Sequence, residues 1–213
     1  MQAIEKIVLH TNWVPLVWVA LIAAIAVLKI LDANRLKGYA FSLFNKTFIE
    51  DEIAENTTFL NVFQSLIFIF SIVVYALSFS YVLHEFTTYF SLSFYSFLQV
   101  FVLTMVYFLV KKTIESAVSS LFLIRKQVRF YIVSKYAYQY AIAFLLFVLF
   151  TIVKFSPLKP IVFAYTILFL FFAKFIFLVV NNKKLIFSKL FYFILYICAL
   201  EIAPLFILFK LLL

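Results

Sequence analysis

Residues 59–110 read FLNVFQSLIFIFSIVVYALSFSYVLHEFTTYFSLSFYSFLQVFVLTMVYFLV, and His84 and Glu85 are the only break in a run that otherwise carries no charge. A hydrocarbon layer about 30 Å thick takes about 20 apolar residues in a helix rising about 1.5 Å per residue. Two such lengths fit, Phe59 to Leu83 and Phe86 to Val110, joined at His84 and Glu85 as a tight helical hairpin. Lipid offers no hydrogen bonds to a backbone, and the run lacks strand-like alternation, so these are helices and not barrel strands.

Working outward, four more segments qualify. Trp13 to Leu31 is flanked by Trp13 and Trp18, which suit a membrane interface, and its head has no net positive charge from Glu5 and Lys6. It is expected to be a retained span despite the cleavage-like Ala24-Ile25-Ala26. Tyr136 to Val153 and Pro160 to Val180 are joined by Ser156-Pro157-Leu158-Lys159-Pro160, where prolines end one helix and open the next. The sixth span lies within Leu185 to Leu213. The expected architecture is one all-α transmembrane domain of about six helices over residues 1–213, with no soluble domain.

The totals agree. Of 213 residues, 67% are hydrophobic and 13% charged, and mean hydropathy is +1.15, well outside the soluble range. One cysteine, Cys198, excludes an internal disulfide and a multi-Cys zinc site, and two histidines leave little for a metal cluster. No cofactor or metal is expected. Thirty-one Phe stand against a single Gly, Gly38, which is expected in a loop. Helix contacts must then use Ala, Ser and bulky side chains in place of Gly-x-x-x-Gly.

The net charge of +9 reports orientation before it reports a partner, and no nucleic-acid reading is needed. With six spans, three loops share one side and hold thirteen Lys and Arg, from Lys29, Arg35, Lys37 and Lys46 through Lys111 to Lys135 and on to Lys183, Lys184 and Lys189. The other side holds Lys6, Lys154, Lys159 and Lys210. The basic loops are expected to be cytoplasmic and both termini periplasmic.

Within Thr113 to Lys135, Ile114, Val118, Leu121, Ile124, Val128 and Ile132 recur at helical spacing, while Arg125, Lys126 and Arg129 are placed to meet headgroups. Either an interfacial amphipathic helix or an extension of the third span fits, and both would attract anionic lipid. The first loop pairs a basic half with Glu50, Asp51, Glu52 and Glu55, expected to be a solvated helix start.

Ionisable residues deep in a bilayer cost several kcal/mol unless paired or wet, so each is a functional candidate. Glu201 lies inside the last span and Lys174 inside the fifth. Pro204 cannot donate to the carbonyl of Leu200, so a kink beside Glu201 is expected. Lys174 lies about 21 Å down its helix, at a depth Glu201 does not share, and is expected to snorkel to headgroups. Asn61, Gln64, Gln99 and Gln139 are candidates for interhelical hydrogen bonds. No phosphate loop, metal spacing or nucleophile elbow is found, and no enzymatic activity is expected.

Cys198-Ala199-Leu200-Glu201-Ile202-Ala203-Pro204-Leu205 with the tail bearing Lys210, together with Phe44-Asn45-Lys46-Thr47-Phe48, resembles domain-of-unknown-function family 4271 of Bacteroidota. The resemblance implies an inner-membrane protein of a Gram-negative cell and points to Glu201 and Pro204. It implies no activity, substrate or cofactor. The residues themselves support a non-enzymatic subunit or assembly factor of a larger inner-membrane complex, with membrane lipids and other integral subunits as partners. The alternative is a small proton- or cation-coupled transporter or channel using Glu201.

Overall fold

The computed structural model describes residues 13–54, 61–87, 90–121, 125–156, 160–181 and 210. Seven helices run through them: α1 (Trp13–Leu31), α2 (Ala33–Ala40), α3 (Lys46–Ala54), α4 (Val62–Phe86), α5 (Phe94–Leu121), α6 (Arg125–Phe155) and α7 (Pro160–Asn181). Five are long and apolar enough to cross a bilayer: α1, α4, α7 and the stretches Phe94–Glu115 of α5 and Phe130–Lys154 of α6. The protein is an all-helical membrane protein, and the sixth predicted span lies outside the described residues.

Proline and hydroxyl chemistry set the ends. Pro15 sits in the first turn of α1 and Pro160 opens α7, positions whose N–H would have no intrahelical partner in any case. The predicted hairpin at His84 and Glu85 is longer than expected: α4 runs through both to Phe86, and α5 begins only at Phe94. Ser93 sets that start, its hydroxyl accepting from the Ser96 N–H at 3.2 Å as an N-cap.

Of the two arrangements open for the third loop, the described residues show the extension of the third span: α5 continues to Leu121, and α6 already starts at Arg125, eleven residues before the predicted Tyr136. Residues 113–135 contain neither Gly nor Pro, so neither helix meets a strong breaker before those ends. Gly38 is not in a loop but in α2, where α3 crosses so closely that a Cβ would run into the ring of Phe48.

α4 and α6 form the core. Of their spans 61% and 56% are buried, against 17%, 22% and 17% for α1, α5 and α7, which surround them. Ala76, Ala137, Ala141 and Ala143 are essentially fully buried, and the small-x-x-x-small pair Ala137 and Ala141 admits close neighbours without glycine. Aromatic rings fill the remaining space: Phe70 meets Phe144 at 4.9 Å, and Tyr81 meets Phe150 and Phe163 at 5.7 Å. Ser80 Oγ is buried without a partner among the described residues, but other hydroxyls inside the bundle return their protons to the preceding turn, as Ser71 to the Phe68 carbonyl, Ser78 to Val74 and Thr104 to Val100. This leaves them satisfied where no water is available.

Candidate functional site

The polar side chains of the bundle gather at one end, where α1 finishes, α2 and α3 fold back, α4 starts and α7 ends. A run of seven residues on α6, Ser134-Lys135-Tyr136-Ala137-Tyr138-Gln139-Tyr140, organises it. Successive residues of a helix turn by about 100°, so two turns point in every direction. Because α6 is central, each direction holds a different helix.

Toward α5, the Lys135 ammonium donates to Glu115 Oε1 at 2.5 Å and the Tyr136 hydroxyl to Glu115 Oε2 at 3.1 Å. Both members of the ion pair are 1% exposed. Toward the α2–α3 turn, the Ala137 carbonyl accepts from the Ser42 hydroxyl at 2.9 Å. Toward α7, the Tyr138 hydroxyl accepts from Asn181 Nδ2 at 2.6 Å. Toward α4, the Gln139 carbonyl accepts from the Tyr75 hydroxyl at 2.8 Å. Tyr140 meets the ring of Tyr39 edge-on at 5.5 Å.

A second ionic contact closes the first loop. Asp32 caps α2, accepting from the Arg35 N–H at 2.9 Å, and Arg35 Nε reaches Glu52 Oε2 at 3.0 Å. Gln64 Nε2 donates to Glu52 Oε1 at 3.3 Å, so one carboxylate ties α2, α3 and α4 together. The expected solvated acidic cluster is thus divided: Glu50 and Asp51 are exposed, Glu52 is buried, and Glu55 lies outside the described residues. Burial, followed by the nearby negative charge of Glu52, pushes the Tyr39 phenol well above its usual range and keeps it protonated.

Lys111 shares the inward stripe of α5 with Phe97, Val100, Thr104 and Glu115, its ammonium 5.6 Å from the Tyr107 ring centre. The Lys112 ammonium lies 5.1 Å from the centre of the Phe68 ring on α4.

Of the residues singled out from the sequence, Glu201 and Pro204 lie outside the described residues, as do the side chains of Arg125, Lys126 and Arg129, whose backbone forms the first turns of α6. Lys174 is half-buried, and it stands on the same stripe of α7 as Phe171, Leu178 and Asn181, which face the bundle. Gln64 bonds across helices to Glu52, whereas Asn61 precedes α4 without a side-chain cap bond. Gln99 is exposed on α5. Gln139 is buried, its amide nitrogen without a partner among the described residues. His84 and Glu85 are exposed at the opposite end, with His84 Nδ1 3.0 Å from the Phe90 carbonyl.

Glu115 was not legible as a candidate, and Lys135 was legible only as a loop cation. The available signal was that Glu115 is the single acid between Lys111 and Lys135, amid six cations. Low-dielectric surroundings make such a pair strong and its separation costly.

A bundle of bilayer-length helices closed at one end by buried ion pairs is a membrane protein whose internal charges cross-link its helices. The chain belongs to the family described as domain of unknown function (DUF4271), which it matches over residues 14–212. No curated relative and no solved structure matches it.

Proposed function

We propose that the chain is a non-enzymatic integral subunit or assembly factor of a larger inner-membrane complex. The observation that carries this reading is how the described charges and surfaces are divided. Arg35 with Glu52, and Lys135 with Glu115, neutralise one another and join helix to helix. Outside, α1, α5 and α7 present broad apolar faces, from Leu16 and Val19 through Tyr95 and Val102 to Leu168 and Phe172. The internal chemistry is structural, and association is left to the outer faces. Glu201 lies outside the described residues; its apolar sequence surroundings add the expectation of a carboxylate that needs a partner at membrane depth.

The multi-pass arrangement is oriented with the basic end toward the cytoplasm and both termini toward the periplasm. Lys29, Arg35, Lys37, Lys46, Lys111, Lys112 and Lys135 stand at that end of the described helices against Lys154 at the other, and the positive-inside rule supports this orientation. In a Cys198→Ser background, a membrane-impermeant maleimide applied to spheroplasts labels Ser91→Cys at once and Asn34→Cys only after lysis; the reverse pattern inverts the topology.

The function itself is tested by gentle-detergent purification of the tagged protein from its native membrane, as wild type and Glu201→Gln, with mass spectrometry of what stays bound. A stoichiometric membrane partner that Glu201→Gln loses is the expected result. If both come alone, the subunit reading fails, and pH-dependent ion flux in liposomes then favours the transporter.

A further inference from the structure

The α2–α3 turn carries an exposed feature that the ionic layer does not use. One side of it is fully engaged: Tyr39, Leu43 and Ile49 are buried, and the Ser42 hydroxyl bonds to α6. The other side presents Lys37, Phe41, Phe44 and Lys46 outward, with Phe41 59% and Phe44 78% exposed. Lys37 and Phe41 are one helical turn apart, and Phe44 and Lys46 follow around the same turn, so two aromatic rings stand between two exposed cations. An exposed phenylalanine pair on a polar loop is unfavourable in water by about 1.5–3 kcal/mol per ring.

Its depth follows from its neighbours. The Phe44 ring meets Phe177 edge-on at 5.9 Å, and Phe177 lies four residues, about 6 Å, inside the end of the span Ile161–Asn181. Phe44 therefore stands level with the last turn of a span, on its outer side, where acyl chains give way to headgroups. The exposed cations Lys37 and Lys46 flank Phe41 and Phe44 in the chain.

We propose that the α2–α3 turn is an interfacial anchor that binds anionic phospholipid, with Phe41 and Phe44 in the outer acyl region and Lys37 and Lys46 on the headgroup phosphates. The chemistry is that of amphipathic membrane-surface segments, apolar insertion reinforced by cation attraction to anionic lipid. Arg35 and Glu52 hold the turn in this attitude from behind. The proposal rests on reading the five apolar helices as bilayer spans and is independent of any partner subunit.

The test uses the full-length protein, with Phe44→Trp, in vesicles containing a fixed mixture of phosphatidylcholine and phosphatidylglycerol in which one lipid or the other carries brominated acyl chains. Emission added by Phe44→Trp over that of native Trp13 and Trp18 should be quenched by both. Brominated phosphatidylglycerol should be the stronger quencher, by an enrichment of about fivefold for each of the two lysines, from an attraction of about 1 kcal/mol per basic residue. Lys37→Gln with Lys46→Gln should abolish the difference while leaving quenching by brominated phosphatidylcholine. Absence of added quenching overturns the insertion, and equal quenching by the two lipids, or a preference that survives the lysine replacements, overturns the headgroup site. Millimolar inorganic phosphate should not compete; if it does, a free-anion site replaces the lipid site. Quenching of Trp13 and Trp18 reports insertion of the spans separately, so failure there would mark the bilayer reading and not the anchor.

Discussion

The two ends of the bundle are closed by different chemistry. At the basic end, buried ion pairs and seven consecutive residues of α6 tie α2, α3, α4, α5 and α7 together. At the opposite end the ties are aromatic and mostly neutral: Trp13 stacks on Phe97 at 4.8 Å, and Trp18 Nε1 donates to the Thr151 hydroxyl at 2.9 Å. Ring packing tolerates small shifts and loses energy gradually, whereas a buried charge deprived of its partner keeps its full desolvation cost. The basic end should be the more sensitive to single substitutions and the more specific in geometry.

The largest effect is expected at Glu115. Glu115→Ala removes the carboxylate from the buried Lys135 ammonium and should lower stability by about 3–5 kcal/mol, read by thermal unfolding in detergent. Glu115→Leu combined with Lys135→Met should recover most of that loss. If the double variant is as unstable as the single, the pair is not the source of the cost, and the contrast between the ends breaks.

Gly38→Ala comes next. The added methyl displaces the Phe48 ring from its place against Tyr39, and overpacking of about 1–3 kcal/mol outweighs a gain of about 1 kcal/mol in helix propensity. Proteolysis within residues 41–60 should accelerate; unchanged cleavage would mean that α2 and α3 do not depend on this contact. At the aromatic end, Trp18→Phe keeps a ring and loses one hydrogen bond, at a cost of about 1 kcal/mol. A loss equal to that of Glu115→Ala would erase the difference between the two ends.

Tyr39 gives the comparison a pH dependence. Its phenol is raised in the folded state, so the contribution is present below the unfolded value of about 10 and is lost as pH rises above it, because the unfolded chain releases a proton that the folded chain keeps. Tyr39→Phe should flatten the alkaline limb of a stability profile, and an unaltered limb would exclude this site as its origin. The smallest effect is expected at Gln99, exposed among apolar neighbours on α5, where Gln99→Leu should change monomer stability by no more than about 0.5 kcal/mol.

Helix class and the presence of long apolar helices could be read from the chain alone, because hydrocarbon admits only segments that satisfy their own backbone and because span length is set by bilayer thickness. The start of α7 at Pro160 was legible for a local reason too, because proline suits the first turn of a helix. The starts of α5 and α6 were not: Ser93 caps one, and the absence of any breaker lets the other run back to Arg125. Nor could the sequence distinguish Glu52 from Glu50 and Asp51, its neighbours in one acidic run. Which of the three turns inward is decided by Arg35, seventeen residues earlier in the chain, and by Gln64 on the next helix. Glu115 and Lys135 look like ordinary loop charges until α5 and α6 are laid side by side. Periodicity and hydropathy are properties of neighbours along the chain and were therefore determined by sequence, whereas a buried ion pair depends on which helix faces which, and only the tertiary structure decided that.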